Sequence, residues 1–181
     1  MLSSQFLRLP ALFFFSGWLA AATSFVFQVF FSGFPILVGT NQLICFVVLE
    51  EVLRFFYWRQ TLGITALSAS ENFWKILPLT PFFAGGFWFL ELLFLKLKTG
   101  QWEFSIAGLL LFGIHLLLTI IIATANIQSS RKRFWVSAAL FLLAVAAHFS
   151  YNWTVEKFSS CQEKKAVIKY VKILKNNPKQ S

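Results

Sequence analysis

Aspartate does not occur in this 181-residue chain; all seven acidic side chains are glutamate. A Ser-His-Asp triad therefore lacks its third member. Cysteine is limited to Cys45 and Cys161, too few for a disulfide framework or a cysteine-based zinc site. Only two histidines, His115 and His148, are present, and they lie too far apart for a His-Glu-x-x-His helix. No glycine-rich phosphate loop, internal repeat or low-complexity segment breaks the chain. The formal charge of +9 gathers mainly in the Arg131-Lys132-Arg133 connector and in the stretch after Lys157. It forms no basic and aromatic module of the kind that grips nucleic acid, so anionic membrane lipid is the expected partner.

What the chain has in excess is apolar surface. Hydrophobic residues make up 57%, with 24 Phe and 7 Trp, far above a globular average. About 20 mostly apolar residues cross a bilayer core as a helix. Five such runs can be placed, near 10–31, 36–58, 82–97, 104–125 and 134–153. The expected fold is all-α, a polytopic integral membrane helical bundle of about five transmembrane helices over residues 1–156. The first run, without an obvious cleavage site, reads as a retained helix. Gly33 and Pro35 mark a turn, a polar connector runs from Arg59 to Leu79, and Pro78 and Pro81 suit a helix start. Residues 157–181 form a basic tail, read either as an amphipathic helix on an anionic membrane surface or as a disordered segment. The two basic clusters flank the fifth run on opposite sides, so the positive-inside rule leaves the orientation open.

Within these runs a few ionisable groups stand out. Glu50, Glu51 and Arg54 interrupt the apolar run from Ile36 to Trp58. A charge near mid-bilayer costs at least about 2.5–3.5 kcal/mol on insertion scales, which makes such residues functional candidates by default. The polar groups also recur at a spacing of four: Glu50 with Arg54, Phe87 with Glu91, His115 with Thr119, His148 with Asn152. That spacing puts both members of a pair on one helix face. Hydrocarbon offers no hydrogen bonds, so the four faces should turn inward, most simply onto one shared cavity. Midpoints of the assumed spans put Glu91 and His115 near the bilayer centre, with Glu50 and His148 a few residues to either side. Blander roles exist for each: a structural Glu50 or Glu51 to Arg54 ion pair, a Glu91 snorkelling toward Lys96 or Lys98, and interhelical hydrogen bonds for His115 and for His148 with Asn152.

Glu50-Glu51-Val52-Leu53-Arg54, then Gly86-Phe87-Trp88-Phe89-Leu90-Glu91, then His115-Leu116-Leu117-Leu118-Thr119, then His148-Phe149-Ser150-Tyr151-Asn152, resemble the ordered motifs of PrsW-type intramembrane proteases. These belong to the glutamate-dependent membrane protease superfamily that includes the type II CAAX prenyl endopeptidases. The resemblance covers roughly Val48 to Asn152 and rests on order and placement, since no single motif is specific. Arg54 departs from the Lys usual in PrsW-type members, whereas Glu91 stands where CAAX-type members have His.

The resemblance implies an endopeptidase in the cytoplasmic membrane of a prokaryote that cleaves membrane-anchored proteins or peptides without a cofactor. Glu50 would be the base, Glu51 would share a proton or tune it, and Arg54 would hold one carboxylate charged. Glu91 and His115 would position water, and His148 and Asn152 would donate to the oxyanion. Two alternatives stand beside this reading. One is a zinc-dependent protease with ligands from Glu50, Glu91, His115 and His148. The other is a non-proteolytic relative acting as a binding scaffold or a proton relay.

Overall fold

A computed structural model describes the backbone of residues 2–32, 39–65, 67, 73–100 and 106–176; the side chains of 2–7, 98, 99, 107 and 158–176 are not described. The expected turn at Gly33 and Pro35, most of the polar connector, Lys98, the start of the fourth run at Phe104 and the side chain of Cys161 lie outside the described residues. Among those described, the structure is helical throughout: α1 (Leu2–Ser32), α2 (Thr40–Ile64), a short α3 (Phe73–Ile76) with a 3₁₀ turn (Leu77–Leu79), α4 (Thr80–Thr99), α5 (Ile106–Ser130) and α6 (Phe134–Asn176).

The boundaries follow local chemistry. Pro78 and Pro81 stand in the first turn of the 3₁₀ segment and of α4 respectively, where a missing N–H costs nothing. The two segments join into a continuous apolar stretch, Phe73–Leu97, that lengthens the expected third span. Gly100 closes α4 in the left-handed conformation (φ 77°), its N–H bonded to Lys96 O. The turn between α5 and α6 uses a bond from Arg133 N to Gln128 O at 2.9 Å, with Lys132 at φ 59°. Pro10 sits inside α1. The fifth span and the basic tail form a single helix: α6 continues unbroken to Asn176.

Among the described residues, four segments are long and apolar enough to cross a membrane: Arg8–Ser32, Phe73–Leu97, Gly108–Ser130 and Phe134–Lys157. α2 has the length, but Glu50, Glu51, Arg54 and Arg59 make it the most polar of the long helices before α6 leaves its apolar part. The side chains are distributed inside out. Phe15, Val26, Phe30, Leu109, Leu110 and Leu142 are at least 60% exposed, whereas Glu50, Glu51, Arg54, His115, Thr119 and His148 are buried. Water would penalise so much outward apolar surface, and hydrocarbon would not.

The helices form a ring in which α1 touches α2 and α4, α4 touches α5, α5 touches α6, and α6 returns to α2; α2 also crosses to α5. The most extensive contact is α1 on α4. Here two glycines let backbones meet: a Cβ at Gly17 would collide with Phe83 O, and one at Gly86 with Phe14 O. Such small-residue contacts suit helix pairs that lack a hydrophobic drive to associate. Phe13, Trp58 and Phe83 pack edge to face beside this seam. Across α1 and α2, Thr61 donates to Ser16 Oγ at 2.7 Å, and Thr23 and Tyr57 share a hydroxyl contact at 3.0 Å. With α1 and α4 pinned in this way, the polar faces of α2, α4, α5 and α6 converge inside the ring.

Candidate active site

α2 supplies the centre. Arg54 is three residues from Glu51 and four from Glu50, so one helix face presents two carboxylates and the guanidinium between them. All three are buried, Glu51 and Arg54 completely. Arg54 Nη2 donates to Glu50 Oε1 at 3.4 Å. Its Nε lies 3.3 Å from Glu51 Oε2, an ion-pair distance without hydrogen-bond alignment. Nη1 reaches across to α5, donating to His115 O at 3.3 Å and to Thr119 Oγ1 at 3.4 Å. The guanidinium carbon stands 4.2 Å above the Phe87 ring of α4, a cation–π contact strengthened by exclusion of water.

This arginine also dictates a tautomer. Nη2 lies 3.2 Å from His115 Nδ1, and a guanidinium can only donate. His115 Nδ1 must therefore accept, which leaves the ring proton on Nε2, where it donates to Glu91 Oε2 at 2.8 Å. Glu91 thus turns inward to α5 rather than out along its own helix. Opposite, His148 Nδ1 donates to Glu51 Oε1 at 2.7 Å, and its Nε2 comes within 3.5 Å of Glu50 Oε1. The two imidazoles lie edge to face, 6.3 Å between centroids.

A cavity of about 210 Å³ opens on this cluster, walled by Glu50, Glu91, His115, His148, Tyr151 and Asn152 with Gln28, Leu43, Phe46, Val47 and Leu111. It has room for several waters and the polar partners that ordered water needs. A second cavity of about 60 Å³ between α1 and α4 is lined by Ser24, Gln28, Glu50, Phe87 and Glu91, among others. Glu50 borders both, whereas Glu51 and Arg54 border neither. The two adjacent glutamates are thus chemically distinct: Glu50 faces the space where water fits, and Glu51 is held behind it by Arg54 and His148.

Six of the seven residues singled out from the sequence are joined by direct contacts: Glu50, Glu51, Arg54, Glu91, His115 and His148. Asn152 lines the cavity but makes no hydrogen bond to His148 among the described residues. The sequence reading passed over Ser24 and Gln28 of α1. Gln28 Nε2 donates to Ser24 Oγ at 3.1 Å, the same four-residue polar spacing that marked the other helices.

Among the described residues, two sets of three side chains could offer a metal ion ligand atoms lying within 4.8 Å of one another: Glu50, Glu51 and His148, and Glu50, Glu91 and His115. Their fit is unequal. In the second set a metal would need the Nε2 lone pair of His115, where Arg54 forces the proton to sit. In the first, His148 has the orientation of a metal-binding histidine, with Nδ1 on a carboxylate and Nε2 forward, but the Arg54 charge lies against both glutamates.

No protein-family model matches this chain, and neither a curated protein nor a solved structure matches it. Among the described residues, fold and site together define an all-helical structure with four membrane-length apolar helices and a buried Glu/Arg/His centre beside a polar cavity.

Proposed function

We propose that the chain is a multi-pass membrane protein with five spans, α2 added to the four apolar segments, and that it acts as a glutamate-dependent intramembrane endopeptidase on membrane-anchored proteins or peptides. The observation that carries this reading is the convergence of Glu50, Glu91, His115 and His148 from four helices on one cavity large enough for water. The resemblance to PrsW-type proteases, read from the sequence, points the same way.

Peptide hydrolysis needs a base for water and donors for the oxyanion. Glu50, the one carboxylate of α2 that borders the cavity, takes a proton from a water lying between it and the Glu91–His115 pair. The hydroxide adds to the scissile carbonyl, and the tetrahedral oxyanion accepts hydrogen bonds from Asn152 and from the Nε2–H of a His148 imidazolium, whose Nδ1–H stays on Glu51. Glu50 then returns its proton to the leaving amine, and the carbon–nitrogen bond breaks. Glu51 does not touch the substrate; with Arg54 it fixes the His148 ring and keeps Glu50 in place.

The test is cleavage of single-span model substrates by the reconstituted protein. Glu50→Gln should insert normally and lose cleavage by at least about 10²-fold, the scale for general-base loss. Cleavage by Glu50→Gln at the wild-type rate would remove Glu50 from the chemistry. A zinc-dependent reading rests on the His148 orientation, and it separates cleanly: loss of activity on chelation, restored by Zn²⁺, would replace the metal-free mechanism.

A further inference from the structure

Beyond the ionisable centre, toward its C-terminal end, α2 meets the last turn of α5 and the first turns of α6, and between them lies a groove of about 510 Å³. Phe55, Phe141 and Leu142 give it an apolar floor, while Arg59, Ser129 and Ser137 supply its polar side chains. No carboxylate lines it among the described residues. Arg59 is exposed and has no acidic partner among the described residues. The exposed Arg131-Lys132-Arg133 turn sits at the same end, immediately before α6.

Ser137 is the side chain that asks for a ligand. It is only 7% exposed, yet its hydroxyl has no hydrogen-bond partner among the described residues. Four other helical hydroxyls, those of Thr124, Ser130, Ser150 and Thr154, bond the carbonyl one turn back. Ser137 does not, and it lines the groove instead. It stands in the first turn of α6, whose opening N–H groups have no intrahelical acceptor. An unused hydroxyl, a helix N-terminus and a free guanidinium above an apolar trough match a phosphate diester carrying acyl chains.

We propose that this groove binds an anionic phospholipid. Arg59, the Ser137 hydroxyl and the start of α6 hold its phosphate, and an acyl chain lies along Phe55, Phe141 and Leu142. A zwitterionic lipid satisfies the hydroxyl equally but leaves the basic rim uncompensated, so selectivity favours net negative headgroups. The inference rests on membrane embedding but not on peptidase activity.

The test uses the full chain, extracted from carbonate-washed membranes, stripped of lipid in detergent and offered equimolar phosphatidylglycerol and phosphatidylcholine. Bound lipid is counted by native mass spectrometry. Wild type should retain phosphatidylglycerol over phosphatidylcholine by about tenfold or more, the scale of one charge-assisted hydrogen bond. Arg59→Gln, a change at an exposed position, should remove most of that preference, and Ser137→Leu, which fills the trough, should remove retention of both lipids. Replacing Lys164, Lys165 and Lys169 by Gln should leave retention unchanged. Equal retention of the two lipids, an unaltered preference in Arg59→Gln, or loss that follows only the tail lysines would overturn the site. Ser137→Leu that fails to fold leaves Arg59→Gln to decide. Protein missing from carbonate-washed membranes would instead overturn the embedding on which the site depends.

Discussion

Removing the Arg54 guanidinium would leave Glu50 and Glu51 buried side by side with no cation between them. Breaking a buried pair by deleting one partner costs about 3–5 kcal/mol. Arg54→Leu should therefore lower the melting temperature in detergent far more than Arg54→Lys, which restores charge but not the bonds to His115 O and Thr119. Equal melting of the two variants would show that the ion pair does not hold the centre. His148 and Asn152 make a second comparison. His148 is bonded to Glu51, so His148→Ala should lose both stability and turnover, whereas Asn152→Ala should lose turnover, by about 10²-fold for one oxyanion donor, with melting preserved. A matching loss of melting temperature in Asn152→Ala would make that residue structural. The four-residue spacing in the sequence was enough to say which side chains share a face. It could not say that Arg54 reaches Thr119, or that His148 turns to Glu51 while Asn152 lines the cavity, because a helical period fixes direction within one helix and carries no information on which face meets which.

At the scale of elements, the α1–α4 seam is the rigid part of the ring. A side chain at Gly17 or Gly86 must displace the opposing backbone, and overpacking of this kind costs about 1–3 kcal/mol or more. Gly86→Val should reduce both melting temperature and cleavage, since Glu91 rides on the same helix just over one turn later. Gly113→Val, on α5 where an added Cβ meets nothing, should do neither. A Gly86→Val protein that melts and cleaves as wild type would mean the helices can part there freely. Long apolar runs made the helices themselves legible. Their ends were less so: α4 gained the preceding turns because Pro78 and Pro81 start helical segments without breaking the run. α6 also outran its apolar stretch, because hydropathy marks where a membrane would end and not where a helix does. Ser24 and Gln28 show the same four-residue polar spacing, on a helix whose apolar run from Pro10 to Phe31 holds no ionisable group.

For the molecule as a whole, the question is whether α2 crosses the membrane with its four charges. If it does, Thr40 and Ile64 lie on opposite faces. With Cys45 and Cys161 replaced by Ala, single cysteines at these two positions should react with a membrane-impermeant maleimide from opposite sides. Labelling from the same side would reduce the protein to four spans, with α2 turned back. The energetic argument favours crossing, since Glu50, Glu51, Arg54 and the two imidazoles satisfy one another inside the ring, and from residue 44 to residue 56 the exposed side chains of α2 are Ile44, Val48, Val52 and Phe56, with the exposed Arg59 beyond them toward the helix end.

The 43 residues of α6 amount to a rod of about 65 Å at 1.5 Å per residue, about twice the depth of a bilayer core. Its first turns border the Ser137 groove, its middle holds His148 against Glu51, and its far part, after Lys157, lies past the membrane-length apolar stretch. Nothing between Phe134 and Asn176 interrupts the helix, so there is no joint to absorb a twist. A protein that grips the lysine-rich end and turns it would also turn the imidazole ring; with the apolar part of α6 held in a membrane, the far part would be a lever and the membrane its fulcrum.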